Sequence, residues 1–124
     1  MSTRNLDALL NPGSVVVVGA SARPDSLGAI VWRHLRAGAF KGPVYAVNPK
    51  HRRLDGQSVY AVASELPAPA DLALVCTPAA SVPAVIAELG GCGTRAAVVL
   101  SAGLDASQRQ AMLDAARPHL LRVL

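Results

Sequence analysis

The stretch from Ser14 to Gly28 (SVVVVGASARPDSLG) constrains the fold of this chain more than any other segment. Four consecutive valines run directly into Gly19-Ala20-Ser21, and the pattern of an amphipathic helix begins a few residues later. In α/β proteins a strand, a tight turn and a helix N-terminus hold phosphate, because the backbone N–H groups and the helix dipole favour an anion. The stretch therefore predicts a ligand with phosphate groups. The alternative is a plain strand-to-helix loop that uses small residues for close packing.

Apolar runs alternate with helical patterns along the chain, after a leading helix. The runs are nearly continuous in apolar character, which is typical of parallel strands buried on both faces. The alternation predicts an α/β protein with a three-layer Rossmann-like fold and a five-stranded parallel sheet in the order 3-2-1-4-5. Ligands would bind at the carboxyl ends of the strands, near a switch point between the first and fourth strands. The five predicted strands are Val15–Val18, Val44–Val47, Leu72–Cys76, Ala96–Leu100 and His119–Leu124.

The helices between these strands carry recognisable end signals. Ser26 is placed to cap the first main helix, and Asp105 with Gln108 is placed to form a capping box on the last. The predicted helices are Leu27–Gly38, Ala80–Leu89 and Ala106–Arg117, with a short helical turn over Val62–Leu66.

The composition favours a small anionic ligand over a nucleic acid. The formal net charge is +4, from 12 Lys and Arg against 8 Asp and Glu, and the aromatic residues are scattered. Nucleic-acid-binding proteins concentrate charge beside stacking aromatic side chains, so we expect no nucleic-acid partner. Cys76 and Cys92 lack metal-ligand spacing, and no apolar run approaches the roughly 18 residues that span a membrane. We expect a cytoplasmic chain with reduced cysteines and no membrane partner.

Small and basic residues follow the first two predicted strands. Gly19-Ala20-Ser21 lies in a loop that breaks the dinucleotide fingerprint, because the next glycine is Gly28, and Arg23 can supply positive charge there. Asn48-Pro49-Lys50 follows the second strand, at the place where an NAD site has an acidic residue, and His51–Arg53 continues the basic run. Cations in place of an acid favour a phosphorylated ribose, as in NADP or coenzyme A. The alternative is a solvated basic loop.

Two further strand ends carry rigid or small residues. Thr77-Pro78 is suited to line a ligand channel, and Ser101-Ala102-Gly103 leaves room for a ligand and offers a hydroxyl. Cys76 is expected to be a buried structural cysteine, and the alternative is that it faces a bound thiol. The histidines form no catalytic set, and neither a carboxylate pair nor a metal-ligand cluster is apparent in the sequence. We therefore predict no catalytic residue and no metal site.

Five motifs lie in order along nearly the whole chain. They are LDALLNP (Leu6–Pro12), SVVVVGAS (Ser14–Ser21), GPVYAVNPK (Gly42–Lys50), DLALVCTP (Asp71–Pro78) and AAVVLSAG (Ala96–Gly103). This pattern resembles the N-terminal CoA-binding domain of NDP-forming acyl-CoA synthetases, relatives of the succinyl-CoA synthetase alpha subunit. The resemblance implies that residues 1–124 are a CoA-binding domain, an N-terminal fragment of a longer multidomain protein.

The resemblance also implies a role for each strand end. Gly19-Ala20-Ser21 would hold the phosphates of coenzyme A, and Asn48-Pro49-Lys50 would flank its adenosine, with Lys50 near a phosphate. Thr77-Pro78 would line the pantetheine channel. Ser101-Ala102-Gly103 would lie near the thiol.

In the family, the phosphorylated histidine lies in a following domain and an ATP-grasp module binds the nucleotide. The resemblance thus implies that this chain alone is not a ligase, and that its partners are CoA or acyl-CoA and the downstream ligase and ATP-grasp domains. The same architecture resembles the front part of GNAT-type protein lysine acetyltransferases. The sequence is also compatible with an NADP-binding oxidoreductase domain, and with a non-catalytic regulatory module that has a degenerate CoA pocket.

Overall fold

The computed structural model describes residues 6–38 and 40–124 and has a single sheet with helices packed on both faces. The strands are β1 (Val15–Val18), β2 (Val44–Val47), β3 (Arg53–Leu54), β4 (Gln57–Tyr60), β5 (Leu72–Val75), β6 (Ala96–Val99) and β7 (Arg122–Val123). The α-helices are α1 (Leu6–Leu10), α2 (Leu27–Ala37), α3 (Val82–Gly91) and α4 (Ala106–Ala116). Short 3₁₀ turns cover Ala63–Glu65, Ala79–Ser81 and Arg117–His119.

The four valines of β1 form the centre of the sheet because they are buried on both faces. Val16 and Val18 belong to the core cluster that contains Ile86 of α3 and residues of α4, whereas Val17 packs in the cluster of Trp32 on α2. Successive side chains of a strand point to opposite faces, so α2 covers one face and α3 and α4 cover the other. The predicted three-layer, Rossmann-like arrangement is confirmed.

The predicted strand count and order were wrong. Over the described residues the sheet has seven strands in the order β3-β4-β2-β1-β5-β6-β7, and it is mixed because β3 runs antiparallel to β4. The run Leu72–Val75, predicted to be third and to lie beyond the second strand, instead pairs with β1 on the side opposite β2. The position next to β2 is taken by β4, a strand that the sequence analysis missed.

The missed hairpin of β3 and β4 forms around a tight turn. Asp55 and Gly56 both have positive φ, at 50° and 78°, as a two-residue turn between right-twisted strands requires. Trp32 on α2 donates its indole N–H to the Asp55 carboxylate at 3.1 Å, which joins the hairpin to the helix layer. The hairpin therefore extends the sheet beyond β2 and is fixed to α2.

The switch point of the sheet also lies elsewhere than predicted. After β4 the chain crosses to β5, on the other side of β1, so the crevice opens between β1 and β5. The switch point was predicted to lie between the first strand and Ala96–Leu100, and that prediction was wrong for the same reason as the strand order. The residues that follow β5, rather than those that follow β6, therefore face the end of β1.

The predicted N-terminal caps of α2 and α4 are confirmed, whereas α3 begins and ends two residues later than the predicted helix Ala80–Leu89. The hydroxyl of Ser26 caps α2 by accepting the Ala29 N–H at 3.2 Å. Asp105 and Gln108 form the full capping box of α4, with reciprocal bonds of 2.7 and 3.0 Å. The terminal strand is shorter than predicted because a 3₁₀ turn over Arg117–His119 follows α4 directly.

The first turn of α2 rests directly on the turn after β1. A Cβ built on Gly28 would overlap the carbonyl oxygen of Gly19, so only a glycine allows this approach. Gly19 itself has φ +96°, and a Cβ there would lie 3.0 Å from the carbonyl carbon of Cys76. The two glycines thus fix the position of the α2 N-terminus against the ends of β1 and β5.

We predict that Gly28→Ala destabilises the chain although alanine favours helix. The added Cβ meets backbone, which cannot give way, and overpacking of this kind costs roughly 1–3 kcal/mol. Gly91→Ala is the matched control, because Gly91 also lies in a helix and a Cβ there meets nothing within 4 Å. Urea unfolding should show a lower stability for the first variant and an equal or higher stability for the second. Equal effects of the two substitutions would contradict the close contact.

Candidate functional site

A cavity of about 610 Å³ opens at the carboxyl ends of β1, β2 and β5, between α2 and α3. Its volume lies within the usual range of small-molecule sites. Part of its lining comes from the loop after β1 and the first turn of α2, part from the loop after β2, and part from the segment that follows β5. The sequence-predicted residues among the lining are Gly19, Ser21, Arg23, Asn48, Pro49, Lys50, Thr77 and Pro78.

The floor of the cavity is an N-terminal helix end. Leu27 and Gly28, the first two residues of α2, line the cavity, and N–H groups at this position have no acceptor within their own helix. Ser26 satisfies the next N–H, that of Ala29, at 3.2 Å. The positive end of the helix dipole and the two backbone donors make this floor suitable for an anion.

Basic side chains surround the floor. Arg23 and Lys50 are exposed, His51 is half-buried, and all three line the cavity. Arg53 is directed elsewhere, because its guanidinium donates to the carbonyl of Gly56 at 2.6 Å, in the hairpin turn. The loop after β2 therefore contributes two basic residues to the cavity.

Asn48 holds two loops together. Its side-chain N–H donates to the carbonyl of Ala20 at 2.8 Å, and its side-chain oxygen accepts the backbone N–H of Lys50 at 2.8 Å. The Ala20 side chain is fully buried and lies behind the cavity wall. These two predicted site residues thus shape the wall and orient Lys50.

The segment after β5 forms a second wall. The hydroxyl oxygen of Thr77 is buried and has no hydrogen-bond partner within the described residues. Cys76 lines the cavity and is only partly buried, which corrects the prediction of a buried cysteine. Burial raises the pKa of its thiol to about 11, so the sulfur is protonated at neutral pH and is not an activated nucleophile.

The residues that follow β6, Ser101-Ala102-Gly103, lie beside the cavity rather than in its lining. The Ser101 hydroxyl donates to the carbonyl of Thr77, so the ends of β5 and β6 are tied together. Ala102 and Gly103 are exposed. Ser101, Ala102 and Gly103 therefore neighbour the wall that Thr77 and Pro78 form.

The wall opposite the α2 floor was not predicted from the sequence. Ala61 and Val62, which follow β4, face a stripe of α3 residues that recur at helical spacing. The recurrence was visible in the sequence, but an undetected β4 hid the surface that these residues face. The stripe consists of Ala84, Val85 and Glu88 of α3, and Ser81 of the preceding 3₁₀ turn extends it.

In residues 6–38 and 40–124 no group of three or more His, Cys, Asp and Glu side chains is placed to hold a metal ion. Over the same residues, no helix is both long and apolar enough to cross a membrane. His51 is the histidine found in the described cavity lining, whereas His34 lies on α2 and His119 packs over Gly90.

Comparison with known proteins identifies relatives of this chain by sequence. The chain is 38% identical over 113 residues to a trans-feruloyl-CoA synthase from an unknown prokaryotic organism. It is 32% identical over 130 residues to the alpha subunit of acetate–CoA ligase [ADP-forming] I from Pyrococcus furiosus. The match covers 91% of this chain in the first case and 97% in the second.

A solved structure supports the same relationship. The dinucleotide-forming acetyl-coenzyme A synthetase 1 of Ca. Korarchaeum cryptofilum, in its apo form, matches with a TM-score of 0.91 and 33% identity over 96% of this chain. The chain spans 16% and 28% of the lengths of the two curated relatives, and 27% of that structure's chain. The family model described as a CoA binding domain matches residues 13–124. This chain therefore belongs to the CoA binding domain family, and it is homologous to the N-terminal part of ADP-forming acetyl-CoA synthetases.

Proposed function

We propose that this chain binds coenzyme A or acyl-CoA in the cavity between α2 and α3. The observation that carries the proposal is the α2 N-terminus, whose first residues, Leu27 and Gly28, line a cavity bordered by Arg23 and Lys50. A ligand that carries a diphosphate and a separate third phosphate needs such a set of backbone donors and cations. Membership of the CoA binding domain family favours coenzyme A as the molecule that supplies them.

Each part of the ligand has a matching segment of wall. The diphosphate lies over the α2 floor beside Ser21 and Arg23, and the ribose phosphate lies at Lys50, which Asn48 orients. The pantetheine arm follows the wall of Thr77 and Pro78, where the unpartnered Thr77 hydroxyl is available to an amide of the arm. The thiol end points towards Ser101-Ala102-Gly103. Coenzyme A itself supplies the thiol that carries the acyl group.

Residues 1–124 act as the CoA-binding module of a larger NDP-forming acyl-CoA synthetase. The small share of each relative that the chain spans supports this, because the relatives' remaining length accommodates ligase and ATP-grasp parts. Among the described lining residues, Cys76 is not an activated nucleophile, because burial raises the pKa of its thiol to about 11. The module thus holds and orients the ligand, and acyl transfer belongs to other domains.

Neither NADP as the ligand nor an acetyltransferase as the parent protein is favoured. The basic residues after β2 fit NADP as well as coenzyme A, but the two curated relatives are a CoA synthase and a CoA ligase. No feature of the cavity points to the acetyltransferase parent in preference to the ligase.

We predict that Lys50→Ala weakens binding of coenzyme A but hardly changes binding of dephospho-CoA, since only coenzyme A has the ribose phosphate. Removal of a partly exposed hydrogen bond between charged groups lowers the affinity about tenfold. Lys41→Ala is the matched control, because Lys41 is exposed and lies outside the cavity lining. Isothermal titration of both ligands measures the difference. An equal loss for both ligands would place the ribose phosphate elsewhere, and no binding of either ligand to the unmodified chain would refute the proposed function.

We predict that acyl-CoA protects Cys76 from alkylation. A Cys92→Ser variant leaves Cys76 as the single thiol. Because burial raises the pKa of Cys76 to about 11 and only the thiolate reacts, the iodoacetamide rate should still be rising at about pH 10, by roughly tenfold per pH unit. Saturating acetyl-CoA, which has no free thiol, should slow the reaction. A rate that levels off near pH 9, or one that acetyl-CoA leaves unchanged, would contradict this account.

A further inference from the structure

The cavity is chemically different at its two ends. The end at α2 has backbone donors and the cations Arg23 and Lys50. The other end lies along α3, where Val62 and Val85 provide apolar surface and Glu88 lies about two helical turns beyond Ser81, the residue that precedes the helix. Among the described lining residues, Glu88 is the one with a carboxylate side chain. A ligand that fills both ends must therefore be anionic at one and apolar with a hydrogen-bond donor at the other.

The Glu88 carboxylate is held in place by the chain itself. Its Oε1 accepts the backbone N–H of Ala63 at 2.8 Å, and Ala63 is 4% exposed. A carboxylate has two oxygens and only accepts hydrogen bonds. In the described part of the chain, the hydrogen bond to Glu88 involves Oε1, so Oε2 retains its capacity as an acceptor.

We propose that Glu88 is a specificity-determining residue that accepts a hydrogen bond from the exocyclic amine of a 6-aminopurine held between Val62 and Val85. This inference rests on the proposed function, since the adenine of coenzyme A is then the base in question. A 6-oxopurine presents a carbonyl oxygen at the same position. That oxygen would face the Glu88 carboxylate without a proton between them, and a site built for a donor strongly rejects an analogue that lacks it.

A purely structural role for Glu88 makes a different prediction. If Glu88 serves only to hold the Ala63 N–H, a glutamine keeps the bond through its own carbonyl oxygen and binding does not change. In our account Glu88→Gln keeps that bond but replaces the second acceptor with an N–H₂ donor. The donor suits a 6-oxopurine, so the preference between the two bases should shrink or reverse.

The experiment titrates the chain with coenzyme A and with the analogue in which hypoxanthine replaces adenine. The unmodified chain should bind coenzyme A about tenfold more tightly, and Glu88→Gln should lose or invert that ratio. Glu65→Gln is the matched control, since Glu65 is exposed on the 3₁₀ turn next to Ala63 and lies outside the cavity lining. It should leave the ratio unchanged.

The outcomes separate the inference from the proposed function. Equal affinity of the unmodified chain for the two ligands overturns the role of Glu88 and leaves CoA binding intact, whereas failure of both ligands to bind overturns both. A Glu88→Gln variant that folds and keeps the full preference for adenine also overturns the role. If a thermal melt shows that the variant does not fold, the comparison of ligands on the unmodified chain decides alone.

Discussion

The contact between Gly28 and the carbonyl of Gly19 is the constraint on which the candidate site depends. It brings the first turn of α2 directly onto the turn after β1, closer than any side chain allows. The distance along the sequence between the two glycines is greater than in the dinucleotide fingerprint, but Gly28 serves the close helix–strand packing for which that fingerprint needs its third glycine. A broken sequence motif thus coexists with an intact physical arrangement.

The remainder of the site follows from how neighbouring strands end. Because β1, β2 and β5 are parallel, the loops that follow them meet at one edge of the sheet. Asn48 joins the loops after β1 and β2, and Ser101 ties the end of β6 to that of β5. The side chains of Asn48 and Ser101 therefore hydrogen-bond within the protein. Arg23, Lys50 and the α2 N–H groups are available to a ligand.

The sequence was a good guide where one segment determines the outcome. The buried valines of β1 and the Ser26 cap depend on local chemistry, and they were predicted correctly. The strand order depended on β4, a four-residue strand whose polar residues weaken its apolar signal, although the Asp55-Gly56 pair marked the turn before it. Missing β4 concealed the wall around Val62, and with it the significance of Glu88, because a helix face has meaning only once its neighbour is known.

The most direct test of the account is an amide NMR titration of the ¹⁵N-labelled chain with coenzyme A. If the α2 N-terminus holds the diphosphate, the backbone amides of Leu27 and Gly28 should show the largest shifts, together with those of Ser21 and Lys50. The cleft at the other end of β2 and β4, beside Tyr45 and Gln57, should stay unchanged. Large shifts in that cleft, with the first turn of α2 unaffected, would contradict the account.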